Sequence, residues 1–110
     1  VAGGIGTDER EVESMRKILT SVLTDNMDEC IFSHTTPVER HHIFGGANRK
    51  RSEKYGFVVP LRPDLHPNGV HAGPQAKAID KVLKQMAQEY YEIYYGTRQE
   101  FIKEFGKSYL

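Results

Sequence analysis

Between Pro74 and Gly96, apolar side chains fall at Ala76, Ile79, Leu83, Met86, Tyr90 and Ile93, three or four residues apart and uninterrupted by glycine or proline. That spacing is one face of an amphipathic helix, with Gly96 placed to cap it. The segment before it reads in the opposite way. Residues 62–74 carry three prolines, Gly69, Gly73, His66 and His71, so nothing more regular than a short turn is expected there. Irregular stretches of this length are usually functional or disordered.

The remaining elements are short. Residues 57–61 predict a strand that Pro60 ends or pushes to a sheet edge, and residues 38–44 predict another, with Gly45 and Gly46 as punctuation after it. Residues 48–56 are polar and basic and are expected to form a loop. A second helical pattern at Val12, Met15, Ile18, Leu19, Val22 and Leu23 predicts an N-terminal helix over 7–24, capped by Thr7 or Asp8 and preceded by a flexible lead, 1–6. Residues 97–105 predict a last short helix, after which Tyr109 and Leu110 are expected to dock as an apolar tail. One domain is expected from the 110 residues, with a hairpin region at 28–74 and C-terminal helices at 75–110.

Lys and Arg together number 15, as do Asp and Glu, so net charge selects no class of partner. Its distribution is more telling, because Arg49, Lys50, Arg51 and Lys54 cluster within six residues. Cys30 is the only cysteine, which excludes an intramolecular disulfide and an all-cysteine zinc site. No apolar run approaches the roughly 18 residues of a membrane span. The opening VAGGIGTDER lacks the basic and apolar regions of a secretory signal, so a cytoplasmic protein without membrane partners is expected.

Four of the five histidines form two close pairs, His41 with His42 and His66 with His71, flanking the expected hairpin. A hairpin brings its ends together, so these imidazoles could reach one metal and leave coordination positions open for water or a phosphate oxygen. His41 and His42 would point to opposite faces of a regular strand, so sharing a site requires a bend, a bulge or different roles. One could bind metal while its neighbour takes a proton from water. Any one of them taken alone reads more simply as an ordinary surface or loop histidine.

The stretch ERHHIFGGANRKRSEKYGFVVPLRPDLH, followed by GVH and a long helix, resembles HNH nucleases of the ββα-metal fold, particularly a small group encoded by phages and bacterial mobile elements. The likeness runs over about residues 28–110. It implies an α+β fold: a ββα-metal core with a β-hairpin, flanked by an N-terminal helix and C-terminal helices. It also implies a metal-dependent endonuclease that hydrolyses DNA phosphodiester bonds in a bacterial host cell, with His42 as general base. His41, His66 and His71 would then hold one divalent metal, Mg, Mn, Zn or Ni.

Two positions depart from the family pattern. Many relatives hold a structural zinc with two Cys-x-x-Cys pairs; here the matching residues are Cys30 with Ser33 and Arg62 with Leu65, so no structural zinc is expected. The family's middle Asn, which braces the base, falls near Phe57, leaving Asn48 as a candidate substitute. Arg49, Lys50, Arg51, Lys54 and Arg62 are candidate DNA contacts, against the alternative of a solvated loop and an Arg62–Asp64 pair. The competing functional reading is a non-catalytic protein derived from such a nuclease, either a DNA-binding accessory or an inhibitor that binds a host protein.

Overall fold

The expected hairpin forms, with strands shorter than the apolar pattern. In the computed structural model, which describes residues 20–110, β1 (Glu39–His42) runs antiparallel to β2 (Val58–Leu61). Glu39 lies opposite Leu61, Arg40 opposite Pro60, His41 opposite Val59 and His42 opposite Val58. Pro60 does not end its strand. It has no N–H to give, and its carbonyl accepts the N–H of Ile31 at 3.0 Å, so the turn at Cys30 covers the outer side of β2. Ile43 N–H reaches the Phe57 carbonyl at 2.9 Å, and there the chain leaves the ladder.

Residues 48–56, expected as a loop, are mostly helical. A 3-10 turn (Gly46–Asn48) leads into α1 (Arg49–Tyr55), which ends at Gly56 in the left-handed region at φ 77°. Only Ser52 of its seven residues is buried, so no apolar periodicity announces this helix. Gly56 is required twice over: its N–H caps the carbonyls of Ser52 and Glu53, and an added Cβ would lie 2.7 Å from Val22 Cγ1. Ser52 then joins the helix to the hairpin. Its hydroxyl donates to the Phe57 carbonyl at 2.5 Å and accepts the Phe44 N–H at 3.2 Å, while its own carbonyl takes the Phe57 N–H at 2.7 Å.

The C-terminal helices agree with the sequence pattern. α2 (Ala76–Tyr94) and α3 (Arg98–Phe105) follow a second 3-10 turn (Pro63–Leu65), and Thr97 forms a capping box with Glu100. They bury Leu83, Ala87, Tyr91, Phe101 and Phe105 against Phe44, Phe57 and the hairpin valines and leucines. Of the expected apolar tail Tyr109 docks, its ring 5.8 Å from that of Phe44 and its N–H donating to the buried Gln88 side chain at 2.7 Å, whereas Leu110 is exposed. Of the clustered tyrosines, Tyr91 is buried whereas Tyr94 is 66% exposed, the split between core and surface that helical geometry requires.

Most of the helix expected over 7–24 lies outside the described residues. Its last residues, 20–24, are not helical. Val22 N–H is committed to the Gly56 carbonyl at 2.9 Å and Leu23 N–H to the Ser21 hydroxyl at 3.0 Å, so neither closes a helical turn. Among the described residues no helix is long and apolar enough to cross a membrane.

One carboxylate sits inside the aromatic layer. Tyr55 and Tyr91 both donate to Glu104, at 2.6–2.7 Å. Burial raises the Glu104 pKa, but the two hydroxyl bonds outweigh it and hold the carboxyl below its ordinary 4.5. Burial, and then Glu104 itself, push Tyr55 up to about 12.

Two outcomes follow for stability. Ser52→Ala leaves the Phe44 N–H without its buried partner and is expected to lose about 1–3 kcal/mol in urea denaturation; a loss below about 0.5 kcal/mol would refute the role given to this hydroxyl. Because the folded pKa of Glu104 is depressed, its contribution is present above the ordinary carboxylate value of 4.5 and fades as pH falls through the folded value. Glu104→Gln should therefore lower Tm at pH 7 and weaken the decline of Tm with acid; parallel pH curves for the two proteins would contradict this.

Candidate functional site

Alternation along β1 sends Glu39 and His41 to one face and Arg40 and His42 to the other. On the first face Glu39 Oε1 bonds His66 Nδ1 at 2.5 Å, and the His66 ring meets that of His41 edge-on with centroids 5.0 Å apart. On the second face His42 Nε2 bonds Glu53 Oε2 of α1 at 2.8 Å. Two imidazoles are therefore each held by a carboxylate, and the third is held by packing.

The opposed faces still meet. β1 ends at His42, and the chain turns away through Gly45 and Gly46, so His41, His42 and His66 all line one cleft of about 460 Å³. Arg40, Arg49, Asn68, Asp80 and Lys84 complete its polar walls. Asp80 and Lys84 come from α2, where they pair at 2.9 Å.

His41 is only 4% exposed, and its Nε2 is a buried nitrogen without a hydrogen-bond partner. Burial is the main force lowering its pKa to about 4; His66 pushes the same way and Asp80 opposes it. The ring is neutral at pH 7. An unmet buried polar atom of this kind costs about 1–3 kcal/mol. A neutral imidazole with an unused nitrogen, packed edge-on against a second imidazole, is the donor chemistry that a divalent transition metal takes.

His66 reaches the cleft because the turn after β2 is pinned. Leu65 is buried, the Leu65 N–H donates to the Arg62 carbonyl at 2.8 Å, and Gly69 N–H returns to the His66 carbonyl at 3.0 Å. A Cβ on Gly69 would come within 2.8 Å of Glu39 Oε1 and 3.0 Å of His66 Nδ1. Glycine there lets the loop lie directly on the carboxylate–imidazole pair.

His71, expected as a third metal-binding histidine, is exposed and does not line the cleft. The bonds Ala72 N–H to the Gly69 carbonyl and Gly73 N–H to the Asp64 carbonyl close turns that leave His71 and Val70, 91% exposed, on the outside. Among the described residues no three His, Cys, Asp or Glu side chains are placed to hold a metal ion together. Asn48, expected to support the base, instead bonds the Phe105 carbonyl at 3.4 Å and Arg51 at 3.0 Å, while the side chain on His42 Nε2 is that of Glu53.

Of the candidate DNA contacts, Arg49 lines the cleft. Lys50 is exposed on α1, Lys54 lies over the Tyr55 ring at 5.2 Å, and Arg62 forms a two-bond pair with Asp64 at 2.5 and 3.0 Å. At the positions matched to the zinc cysteines, the buried Cys30 sulfur accepts the Ser33 N–H at 3.5 Å. Burial raises that thiol, but bonds from Ser33 and from the Arg62 backbone outweigh it and lower its pKa.

Sequence reasoning missed Glu39, Arg40, Glu53, Asp80 and Lys84. Glu39 was within reach, since it stands two residues before His41 and so on the same strand face. Glu53 required α1, whose one clear sign is a run of helix-compatible residues ending at Gly56. No family model matches this chain, and no curated protein and no solved structure matches it significantly.

Gly69→Ala is expected to part His66 from Glu39, changing the imidazole nitrogen shifts of His66 in long-range proton–nitrogen NMR spectra. Gly45→Ala is the control, because nothing lies within 4 Å of the added methyl. Unchanged His66 signals in Gly69→Ala would mean that the loop does not hold this pair.

Proposed function

We propose that the cleft hydrolyses DNA phosphodiester bonds with one divalent metal, as the resemblance to HNH nucleases implies. The observation that carries the reading is the buried, neutral His41 with its unpartnered Nε2 beside His66 in a cation-walled cleft. His41 and His66 would hold the ion, while Asp80, paired with Lys84, lines the same cleft. When bound, the metal supplies charge stabilisation for the phosphate and leaving oxygens. Water and substrate oxygens would fill the coordination positions that two imidazoles leave open.

The protein's own groups divide the remaining work. A carboxylate oxygen only accepts, so the ring donates from Nε2 in the His42–Glu53 bond, and the neutral ring would keep a lone pair on Nδ1. His42 takes the proton of the attacking water at Nδ1, and Glu53 stabilises the imidazolium that results. Arg49 and Arg40 supply charge for the non-bridging phosphate oxygens.

The test is nicking of supercoiled plasmid in magnesium, manganese, zinc or nickel, with EDTA as control. Cleavage should require metal, fall about 10²–10⁴-fold in His42→Ala, and fall by a smaller factor in Glu53→Gln. If no metal supports nicking, or His42→Ala cuts like the wild type, the nuclease reading is wrong.

A further inference from the structure

The histidine cleft does not end at the histidines. A second cavity of about 410 Å³, lined by Pro67, Asn68, Gly73 and Lys77, shares Asp80 and Lys84 with it. A third, of about 780 Å³, again shares Asp80 and Lys84 and continues past Lys77, Lys81 and Lys107 to Tyr109. The three adjoin at the Asp80–Lys84 pair and lie in a row along α2 toward the C-terminal tail.

Its charge is one-sided. Lys77, Lys81 and Lys84 stand at i, i+4 and i+7 of α2, a single helix face. Asp80 is the one acidic side chain lining the groove, and Lys84 neutralises it at 2.9 Å. Lys77, Lys81 and Lys107 are exposed, and among the described residues none of them has a carboxylate partner. Lys107 and Lys84 flank the Tyr109 ring, their ammonium groups 5.0 and 5.6 Å from its centroid. The tail thus fixes a fourth cation beside the helical three.

We infer that this lysine-lined groove is the track for one DNA strand, the strand that continues from the phosphate bound in the histidine cleft. The inference rests on the nuclease reading for the identity of that phosphate, and on the groove's own charge for the rest. From Lys77 to Lys84 the helix advances about 10 Å, long enough for the row to meet more than one phosphate of a strand. Ammonium groups read phosphate as point charges, so the track binds backbone irrespective of base sequence. With the Tyr109 ring flanked by lysines, base stacking contributes little. This surface is separate from the basic helix α1: it lies on α2 and the tail, and only Arg49 of α1 borders the cleft at its far end.

The experiment measures binding of the full chain, in EDTA, to a fluorescein-labelled mixed-sequence 20-nucleotide DNA strand across a salt series. In EDTA binding is read without cleavage. The triple variant K77Q/K81Q/K107Q should bind at least tenfold more weakly at low salt. Its slope of log K against log salt should be shallower by about 2, since each lost phosphate contact on a single strand removes about 0.7. Lys103→Gln, an exposed lysine on α3 outside the groove, should match wild type. All three substituted lysines are exposed, and an unchanged circular dichroism melt verifies folding. The groove assignment is overturned if the triple variant binds like wild type, if wild type does not bind the strand, or if a duplex of the same length binds more tightly through the same lysines. Lysine-dependent binding by a protein that nicks no plasmid in any metal would overturn the nuclease reading and leave the track standing.

Discussion

The structure turns on the hydroxyl of Ser52. Two four-residue strands cannot stand alone in water, and the link between them is longer than a hairpin turn. Ser52 solves this from inside the link. It closes on Phe44 and Phe57, the residues just beyond the paired ends of β1 and β2, so α1 and the ladder become one unit. The same fastening sets the site, because Glu53 follows Ser52 and its carboxylate reaches His42 only while α1 is held against the end of β1. A single buried hydrogen-bonded serine therefore fixes both the hairpin closure and the partner of one histidine.

Against that frame, His41 is a local debt. A buried nitrogen without a partner and an imidazole driven to a pKa of about 4 both work against folding. The aromatic layer of Phe44, Phe57, Tyr91, Phe101 and Phe105, with the Tyr109 tail clamped by Gln88, supplies the compensating burial. Natural chains break local rules of polar satisfaction mostly at functional sites. The orphaned nitrogen lies in the same cleft as His42, His66 and three cationic side chains, Arg40, Arg49 and Lys84, rather than in an unrelated part of the core.

Elements with a long apolar period were legible in the sequence. α2 and α3, with the threonine and glycine that bound α3, follow from residues 75–106 alone, although Tyr95 rather than Gly96 caps α2, and the valine-rich strand at 58–61 follows from its composition. What escaped was short or polar. α1 buries one side chain, and that side chain is a serine, so no hydrophobic pattern could reveal it. The site divided in the same way: His41, His42, His66 and Arg49 were visible as residue types around a hairpin, but His71 is carried outward by turns that depend on backbone hydrogen bonds, which residue spacing does not encode. Asp80 and Lys84 join through the packing of α2 across the cleft, a tertiary fact that no local pattern contains.

The two carboxylates also explain how neighbouring histidines could take different roles. Glu39 accepts from Nδ1 of His66, which leaves that ring its Nε2; Glu53 accepts from Nε2 of His42, which leaves that ring its Nδ1. Opposite nitrogens are thus left outside the two carboxylate bonds, so the rings differ in which nitrogen could meet a ligand or a proton. On the proposed reading, the carboxylate beside His66 would orient a metal ligand and raise its basicity. On the same reading, Glu53 would orient His42 as a base and offset the charge formed when it takes up a proton. The alternation of β1, which seemed to forbid a common site for His41 and His42, makes that division work. It places Glu39 and His41 on one side and His42 on the other, while all three histidines line the same cleft and Glu39 and Glu53 hold His66 and His42 from behind it.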